Sequence, residues 1–501
     1  MGESIKGNMK ITLIYPLLSR ARSLVDENKQ YWPPLGLAYI AAVLRQNKHD
    51  VQIIDRDLIL RRCNFDFDKA DEMTLGIIEN FRTEIAGFSL TTPNVSDVIS
   101  FSSLLKKTYP KIITVIGGPH CTGEPAATLS MSKDIDLLVR GEGEMAMLDI
   151  ANGLPLNLIG GLTYRNSDGT IVSNPDRSLI EPLDSLPLPA RDLLDMGYYT
   201  RPSRFISRNL SLRATHIFTA RGCPNNCYYC AGPLMGRRKV RFHSPDRVVF
   251  EIEELIAKYR IEAVYFAEDM FLSSKNRVVE MTDLFLARGI HKKIVWMAQL
   301  STNVVSEPLL SKMKEAGCVH VEYGFESGSQ RILDLMNKKT TVEGNRRAAL
   351  LTKKSGLRFQ GNFIAGYPGE AEEDFERTIS FMRNVRPNNI SLNIFMPLPG
   401  TVIYNRLKEE GRLSYNWDDL GNSEAPFINY ADMPCGIFEK LYFKTKLRVV
   451  LPINLFYFLK DNIFHPFRLF YVIFTQFKSA ISKIFKAIAA LRRMEKPSGK
   501  I

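Results

Sequence analysis

The chain has 501 residues, of which 45% are hydrophobic and 24% are charged. These fractions are typical of a protein that folds around apolar cores in water, and they exclude a disordered chain and a multi-span membrane fold. The net charge is +12, but residues 441–501 carry twelve Lys or Arg and only two acids, a net of +10. The rest of the chain is therefore nearly neutral, and a nucleic-acid groove is not expected.

Seven cysteines are too few for a disulfide framework in a chain of this length, and three of them fall within eight residues. This usage predicts a reducing compartment. The first nine residues are polar and lack the apolar core and cleavage site of a signal peptide. We therefore expect a cytoplasmic protein.

Residues 8–155 alternate apolar strand-like runs with helical patterns, of which the clearest is Leu35–Gln46. Such alternation predicts an α/β domain with a doubly wound, flavodoxin-like parallel sheet, whose ligands bind beyond the carboxyl ends of the strands. Five strands are predicted, at Lys10–Tyr15, Val51–Ile54, Ile85–Leu90, Ile112–Ile116 and Asp136–Val139.

Residues 156–204 contain Asn-Ser-Asp-Gly and a Pro-rich run, and they are predicted as a linker. A second alternating series over residues 205–425 predicts a partial (β/α)6 barrel with its chemistry at the carboxyl ends of the strands. One helix is well marked, with Ser244 as N-cap and Pro245 as its first residue. The predicted strands are Thr215–Ala220, Ala263–Ala267, Ile294–Ala298, Val319–Gly324, Phe359–Ala365 and Ile390–Phe395.

Cys223, Cys227 and Cys230 follow the first strand of this second series with the spacing C-x3-C-x2-C. Thiolates are the usual ligands of iron–sulfur clusters, and three of them leave one iron of a cubane cluster open to another ligand. One alternative is a structural zinc site, for which His243 is the nearest fourth ligand. The other is that the three cysteines have no shared role.

This segment resembles the signature of the radical S-adenosylmethionine (SAM) superfamily, C-x3-C-x-aromatic-C, with Tyr229 as the aromatic residue. The resemblance implies a [4Fe-4S] cluster whose open iron binds SAM. Reduction of the cluster by a low-potential donor such as ferredoxin or flavodoxin would then cleave SAM to methionine and a 5′-deoxyadenosyl radical.

The same resemblance implies further cofactor-binding residues at the ends of later strands. Glu268 and Asp269 stand where the family binds the methionine amino group, and Glu326 stands near the position for the ribose and carboxylate. Ile364 and Gly366 belong to a motif that packs on adenine. The alternative for the three acids is a surface or helix-capping carboxylate. One departure is that no arginine follows Trp296 within residues 297–303, where related enzymes often carry one.

The runs Trp32–Ala41, Gly117–His120 and Gly141–Glu144 resemble the cobalamin-binding domain that precedes many radical SAM cores. The resemblance implies cobalamin as a cofactor. The alternative is an ordinary doubly wound domain whose glycines serve only turns. The residues implied to contact the cofactor are Gly117, Gly118, His120, Gly141 and Glu142.

A histidine ligand to cobalt would require D-x-H-x-x-G after the first strand, and no such motif follows Tyr15. His120 stands in H-x-x-G with Gly123, but Gly118 replaces the aspartate and the motif follows the fourth strand. We interpret His120 as a loop residue near the nucleotide tail of cobalamin, not as a cobalt ligand.

Residues 426–501 are predicted as a basic helical tail. The apolar runs 449–459 and 467–477 are too short to cross a bilayer, and residues 478–493 form a basic amphipathic pattern. This pattern suits an anionic membrane surface. The alternative is a helical pair that packs its apolar side on the barrel.

Together these features predict a cobalamin-dependent radical SAM enzyme that methylates an unactivated carbon of a lipophilic substrate. A second hypothesis is radical cyclisation, oxidation or ring contraction without methyl transfer, as in relatives of the anaerobic porphyrin-ring cyclase. A third is a cobalamin-binding sensor with an inactive barrel. A methylthiotransferase and an auxiliary cluster are disfavoured, because the N-terminal domain has no second cysteine triad and the remaining cysteines form no close pair in sequence.

Overall fold

The computed structural model describes residues 8–18, 32–202, 212–271, 274–413 and 428–462. The chain separates into two compact units. The first consists of Met1–Tyr199, Thr219–Glu251 and Met396–Pro426, and the second of Thr200–Phe218, Ile252–Phe395 and Phe427–Ile501. The three cysteines of the motif therefore belong to the first unit.

The first unit contains a seven-stranded sheet with the order β2-β1-β3-β4-β5-β6-β7. The strands are β1 (Lys10–Tyr15), β2 (Asp50–Asp55), β3 (Ile85–Ser89), β4 (Ile113–Gly117), β5 (Leu137–Val139), β6 (Leu162–Arg165) and β7 (Ile171–Ser173). The first five are parallel, and their order is the flavodoxin-like one. This confirms the predicted fold of the N-terminal domain.

Two strands were not predicted, because they lie in the stretch interpreted as a linker. The turn signals at residues 166–169 close an antiparallel hairpin between β6 and β7, with Asn166 N donating to Thr170 O at 2.9 Å. Gly169 takes φ +86 there, which a residue with a side chain rarely adopts. β6 also pairs with β5, so residues 162–173 extend the sheet.

Among the described residues, eight α-helices accompany this sheet, and the first of them has the predicted bounds Leu35–Gln46. Leu37, Ala41 and Leu44 on that helix are buried, as its apolar face requires. The helices are α1 (Leu35–Gln46), α2 (Arg56–Arg62), α3 (Phe67–Phe81), α4 (Val95–Thr108), α5 (Pro119–Gly123), α6 (Pro125–Ser130), α7 (Glu144–Ala151) and α8 (Met196–Tyr199).

The second unit contains a six-stranded parallel sheet. The next strands along the chain are β8 (Ala214–Ile217), the short antiparallel pair β9 (Ala220–Arg221) and β10 (Arg241–Phe242), then β11 (Ala263–Phe266), β12 (Val295–Leu300), β13 (Cys318–Glu326), β14 (Arg358–Ala365) and β15 (Asn389–Ile394). The sheet order is β15-β14-β13-β12-β11-β8, while β9 and β10 belong to the first unit. An open row of six parallel strands confirms the predicted partial barrel.

The remaining helices lie between and after these strands. Arg247 N donates to Ser244 Oγ at 3.2 Å, which confirms the predicted N-cap before Pro245. The helices are α9 (Gly232–Gly236), α10 (Pro245–Tyr259), α11 (Lys275–Ala287), α12 (Glu307–Glu315), α13 (Gln330–Leu335), α14 (Val342–Ser355), α15 (Glu372–Val385), α16 (Val402–Glu409), α17 (Cys435–Thr445) and α18 (Leu451–Asn462).

The two faces of the six-stranded sheet differ in chemistry. One face is aromatic and buried, with Trp296 against Phe285 of α11 and Phe363 against Phe381 of α15. Parallel register puts paired residues on the same face. The other face carries rows of polar residues, among them Gln299 paired with Glu322, Glu322 with Gln360, and Asn362 with Ser391.

The C-terminal segment is described as far as residue 462. A π-helical turn (Lys446–Val450) joins α17 to α18, and Asn454 of α18 hydrogen-bonds both the N–H and the carbonyl of Ile390 on the edge strand β15. The predicted runs 467–477 and 478–493 lie outside the described residues. Within the described ranges, no helix is long and apolar enough to cross a membrane.

Candidate functional site

The cysteine loop, defined here as residues 222–230, begins directly after β9. Gly222 has φ +91, and a Cβ added there would lie 2.2 Å from the carbonyl oxygen of Lys239. Only glycine fits this position. Cys227 is buried, Cys223 and Cys230 are half-buried, and Cys230 N donates to Cys227 O at 3.1 Å. The loop is thus a compact turn packed against neighbouring backbone.

The donor chemistry of this loop fits an iron–sulfur cluster better than zinc. His243, considered as a fourth zinc ligand, is buried with its Nδ1 2.8 Å from an Asp184 carboxylate oxygen. Among the described residues, no group of three or more His, Cys, Asp or Glu side chains is gathered tightly enough to hold a single metal ion. Three thiols on one short loop are the donor set of a cubane cluster with one iron open.

An ion network joins the residue before the cysteine loop to the end of β5. Arg221 donates to Glu142 at 2.8 Å and to Glu144 at 2.7 Å. Arg241 on β10 donates to both oxygens of Glu142, at 2.9 and 3.0 Å, and the Ile180 N–H donates to the same carboxylate. All of these residues belong to the first unit.

This network is largely desolvated, with side-chain exposures of 2% for Arg241, 10% for Glu142 and 18% for Arg221. Burial alone would raise the pKa of Glu142, but the hydrogen bonds from Arg241 and the charge of Arg221 hold that pKa below its ordinary value. Glu142 is therefore an ionised carboxylate whose oxygens are occupied by protein donors. It connects the loop after β5 to Arg221, Arg241 and the backbone of Ile180.

Three strand-end loops of the first sheet also meet through hydrogen bonds. His120 Nδ1 lies 3.1 Å from Thr92 Oγ1, and Gly141 N donates to Thr122 Oγ1 at 2.9 Å. Gly118 has φ +125, and a Cβ there would lie 2.5 Å from Leu90 O. These contacts gather the ends of β3, β4 and β5 at one edge of the sheet.

That edge fits the close approach of a large ring ligand. Gly141 has φ +71 and a Cβ there would meet no atom within 4 Å, so the backbone faces open space. Gly117 ends β4 and pairs with Val139, the last residue of β5, two residues before Gly141. Burial lowers the pKa of His120 to about 4, so its imidazole is neutral near pH 7. A neutral, buried side chain agrees with the interpretation of His120 as a loop residue.

In the second unit, the acids predicted to bind SAM lie at strand ends with unequal exposure. Glu268 follows β11 and is 3% exposed, whereas the neighbouring Asp269 is exposed. Glu326 ends β13 with φ +60, where the pairing with β14 shifts register. Its carboxylate accepts a hydrogen bond from Lys338 Nζ at 2.8 Å. Sequence reasoning missed Lys338, which lies twelve residues away on a separate turn.

Besides the predicted contact with a cofactor, the local structure explains why residue 366 is a glycine. Gly366 has φ +84, and a Cβ there would lie 2.7 Å from the ring of Phe438 on α17. Its N–H donates to the buried carboxylate of Glu370 at 2.6 Å. Ile364, two residues earlier on β14, is half-buried. Sequence reasoning missed Phe438 because it lies beyond the predicted barrel.

The polar face of the six-stranded sheet stays partly open. Tyr265, Gln299, Glu322 and Asn362 are all half-buried, and Gln299 Nε2 donates to the Tyr265 hydroxyl at 2.7 Å. Gln299 lies in the stretch after Trp296 where related enzymes often carry an arginine. The polar face can therefore receive hydrogen-bonding groups of a ligand.

Comparison with known proteins agrees with both folds. Residues 217–382 match the model of the radical SAM superfamily, and residues 21–151 match that of the B12 binding domain. In fold, the chain is similar to the cobalamin- and cluster-bound radical SAM methyltransferase TsrM from Kitasatospora setae. The TM-score is 0.63 at 16% identity, over 80% of this chain and 78% of that one.

Two relatives cover most of the chain. It is 32% identical over 418 residues to an uncharacterized methyltransferase of Pyrococcus horikoshii, covering 82% of this chain and 85% of that protein. It is 27% identical over 414 residues to the anaerobic magnesium-protoporphyrin IX monomethyl ester cyclase of Rubrivivax gelatinosus, covering 80% and 70%.

The fold and the cysteine loop define a radical SAM enzyme. More particularly, the chain belongs to the family of radical SAM enzymes that carry an N-terminal B12-binding domain. The cofactors of this family are a [4Fe-4S] cluster, SAM and cobalamin, which confirms the three cofactors predicted from the sequence.

Proposed function

We propose that the enzyme transfers a methyl group to an unactivated carbon of a lipophilic substrate, with cobalamin as the methyl carrier. The observation that carries this proposal is the pairing of Arg221, beside the cysteine loop, with Glu142 and Glu144 of the B12-binding domain. A reaction that uses both cofactors needs such a fixed relation between the two loops. The name of the Pyrococcus relative adds support.

When bound, the cluster and SAM supply a carbon radical, and cobalamin supplies a methyl group. Cys223, Cys227 and Cys230 hold the cluster in this proposal. Glu268 and Glu326 orient SAM through its amino, ribose and carboxylate groups. Glu326 is suited to this task because its strained backbone and Lys338 fix the direction of its carboxylate.

The polar face of the second sheet refines the proposed substrate. Gln299 and Asn362 hydrogen-bond to Tyr265 and Gln360, and a wholly apolar molecule would take water away from their remaining polar atoms, which is costly. We therefore propose an amphiphilic substrate whose polar groups face these side chains. The porphyrin ester in the name of the Rubrivivax relative is a large ring of this kind.

The apolar side of α18 supports a proposed association with an anionic membrane. Leu451, Leu455, Phe456 and Leu459 are 39–60% exposed and recur at helical spacing. Lys444, Arg448 and Lys460 are also exposed. Apolar side chains flanked by cations suit the boundary between lipid headgroups and acyl chains. The contact of Asn454 with β15 also supports the alternative that part of this segment packs on the barrel.

A liposome flotation assay tests the membrane association. The double substitution Leu455→Asp/Phe456→Asp should abolish binding to vesicles rich in phosphatidylserine. The control replaces Leu350 with Asp, since that side chain is 58% exposed on α14 but lies outside this surface. Unchanged flotation of the double variant would refute the membrane assignment.

The second candidate is radical cyclisation without methyl transfer, which the similarity to the Rubrivivax cyclase favours. Anaerobic reconstitution with SAM, cobalamin and a reductant, followed by mass analysis of lipid and porphyrin extracts, separates the two. Methylation adds about 14 Da to one component of the extract. The mass of the product separates the two candidates, because function is read from the product and not from the fold. The Cys227→Ala variant serves as the inactive control.

Formation of 5′-deoxyadenosine with a product of altered mass but no added methyl group would refute methyl transfer and favour cyclisation. Cleavage of SAM by the wild type also excludes the sensor hypothesis.

A further inference from the structure

A short basic turn, residues 237–239, follows α9 and precedes β10. Arg237, Arg238 and Lys239 are all exposed, and the side chains of Arg237 and Lys239 are 40% and 55% accessible. Arg237 and Arg238 take φ +47 and φ +62 in succession. Left-handed backbone at two consecutive non-glycine residues is uncommon and costs energy, so the surrounding packing must hold it.

That packing ties the basic turn to the cysteine loop. The Lys239 carbonyl would lie 2.2 Å from a Cβ on Gly222, and a Cβ on Gly236 would lie 2.7 Å from the Gly222 Cα and 3.7 Å from the Cys223 nitrogen. Both glycines let the two backbones touch. The backbone that carries the exposed cations thus packs against the backbone next to the first cysteine of the triad.

The neighbouring acids neutralise this turn only in part. Arg237 lies 3.3 Å from Asp176, which Arg140 also contacts at 3.1 Å, and Lys239 pairs with Glu181. Both acids are more than half exposed, and such surface pairs contribute about 0–1 kcal/mol. Among the described residues, no carboxylate pairs with Arg238. The surface therefore keeps a positive potential.

We propose that residues 237–239 form the docking surface for an acidic, low-potential one-electron donor protein of the ferredoxin or flavodoxin class. Electron transfer slows steeply with distance, so a donor must bind where the cluster loop approaches the surface. Electron-transfer encounters bury small interfaces, below about 1,200 Å², and rely on charge complementarity. The donor loses one electron, the cluster gains it, and no bond changes between the two proteins.

This inference rests on the radical SAM assignment and not on methyl transfer. The first test measures binding of a purified acidic flavodoxin to the full-length reconstituted enzyme by biolayer interferometry. The variant is Arg238→Glu/Lys239→Glu, and the matched control is Lys292→Glu/Lys293→Glu, a pair of exposed lysines in the second unit. We expect association to slow about ten- to a hundredfold at low salt for the first pair only.

Added salt should weaken wild-type binding and narrow the gap between wild type and variant. Equal binding by wild type and Arg238→Glu/Lys239→Glu at low salt would overturn the proposal, as would equal losses in both double variants.

A second measurement compares two reductants. SAM cleavage driven by dithionite should be the same in wild type and variant, while cleavage driven by reduced flavodoxin should fall with the loss of binding. If SAM cleavage fell equally with both reductants, the substitutions would have damaged the cluster loop. The milder Arg238→Gln/Lys239→Gln variant would then be used to test the docking surface. If that pair keeps dithionite activity and full flavodoxin binding, the docking surface is refuted. Failure of the methyl-transfer proposal would leave these results unchanged.

Discussion

The strand ends of the two sheets are built in opposite ways. In the first unit, buried ion pairs tie Glu142 and Glu144, after β5, to Arg221 beside the cysteine loop, and a hydrogen bond from Gly141 N to Thr122 joins the loops after β5 and β4. In the second unit, polar residues such as Gln299 and Asn362 lie half-buried on one face of the sheet. The first arrangement fixes protein loops, and the second leaves hydrogen-bonding capacity for a ligand.

This contrast separates residues that look alike in sequence. Glu142 lies shortly after β5 and Glu326 is the last residue of β13, and the sequence predicted both to bind a cofactor. Glu142 is held by two arginines and a backbone N–H, whereas Glu326 accepts a hydrogen bond from Lys338 and has an unusual backbone. We therefore assign Glu142 to positioning and keep Glu326 as the proposed SAM contact. Substitutions can test the two arrangements separately.

The largest effect is expected for Arg221→Met. The substitution leaves Glu144 without its arginine and removes one of the two arginines from Glu142. Breaking a buried ion pair by removing one partner costs about 3–5 kcal/mol. We expect a loss of that size in the free energy of unfolding by urea, and a lower iron content after reconstitution.

The matched control is Arg288→Met. Arg288 forms a bidentate pair with Glu253, but its side chain is 53% exposed. A loss below about 1 kcal/mol is expected there. Equal losses for the two variants would show that the Arg221 network does not act as a buried clamp.

The next effect compares two glycines of the first unit that both have positive φ. Gly222→Ala should cost about 3 kcal/mol, because strain adds to a clash with the Lys239 carbonyl. Gly141→Ala should cost only about 1 kcal/mol, since its Cβ would meet nothing within 4 Å. Urea unfolding measures both.

The affinity for cobalamin should change in the opposite order, and Gly141→Ala should lose more of it than Gly222→Ala. A cobalamin titration followed by absorbance measures both affinities. If Gly141→Ala left cobalamin affinity unchanged, the proposed contact at that strand end would fail.

Local sequence patterns were enough to predict the strands that form both parallel sheets, since each is an apolar run between turn signals. They were also enough for Leu35–Gln46 and the Ser244 cap, which depend on neighbours within one helical turn. β6 and β7 were missed, because they are short, are only partly buried, and are joined by a turn whose residues resemble a linker.

Pairings across long stretches of chain could not be predicted. Arg221 and Glu142 are 79 residues apart, and no periodicity connects them. The contact between Phe438 and Gly366 could not be predicted either, because the sequence analysis assigned the two residues to different domains, the tail and the barrel. The cysteine spacing, in contrast, is a local pattern, and it indicated the chemistry without knowledge of the fold.

A smaller effect is expected in the second unit for Glu326→Gln. The charge and one acceptor oxygen are lost while the shape is kept, so SAM affinity should fall about tenfold, the size of one hydrogen bond to a charged group. Equilibrium dialysis with the reconstituted protein measures this. Glu343→Gln is the control, because that side chain is 82% exposed on α14. Unchanged SAM affinity in Glu326→Gln would remove Glu326 from the SAM site.

The smallest effect concerns Asp55, a carboxylate of the first unit for which the described residues supply no cation to offset its burial. Burial raises the pKa of Asp55 to about 6, although the Tyr199 hydroxyl and the Leu58 N–H donate to it. Between the pKa of the unfolded chain, about 3.9, and that value, the native state keeps a proton that the unfolded chain has released. The free energy of unfolding therefore falls as pH rises through this window.

Asp55→Asn removes this pH-dependent fall in the free energy of unfolding, while the amide oxygen of the new side chain can still accept a hydrogen bond from the Leu58 N–H. Relative to wild type, the variant should gain about 1 kcal/mol in unfolding free energy between about pH 5 and about pH 8. Asp66→Asn is the control, because Asp66 caps α3 in the same way but is exposed. The same pH dependence in both variants would contradict the assignment to Asp55. A gain confined to Asp55→Asn would show that the burial of a carboxylate, which two arginines offset at Glu142, is not offset at Asp55.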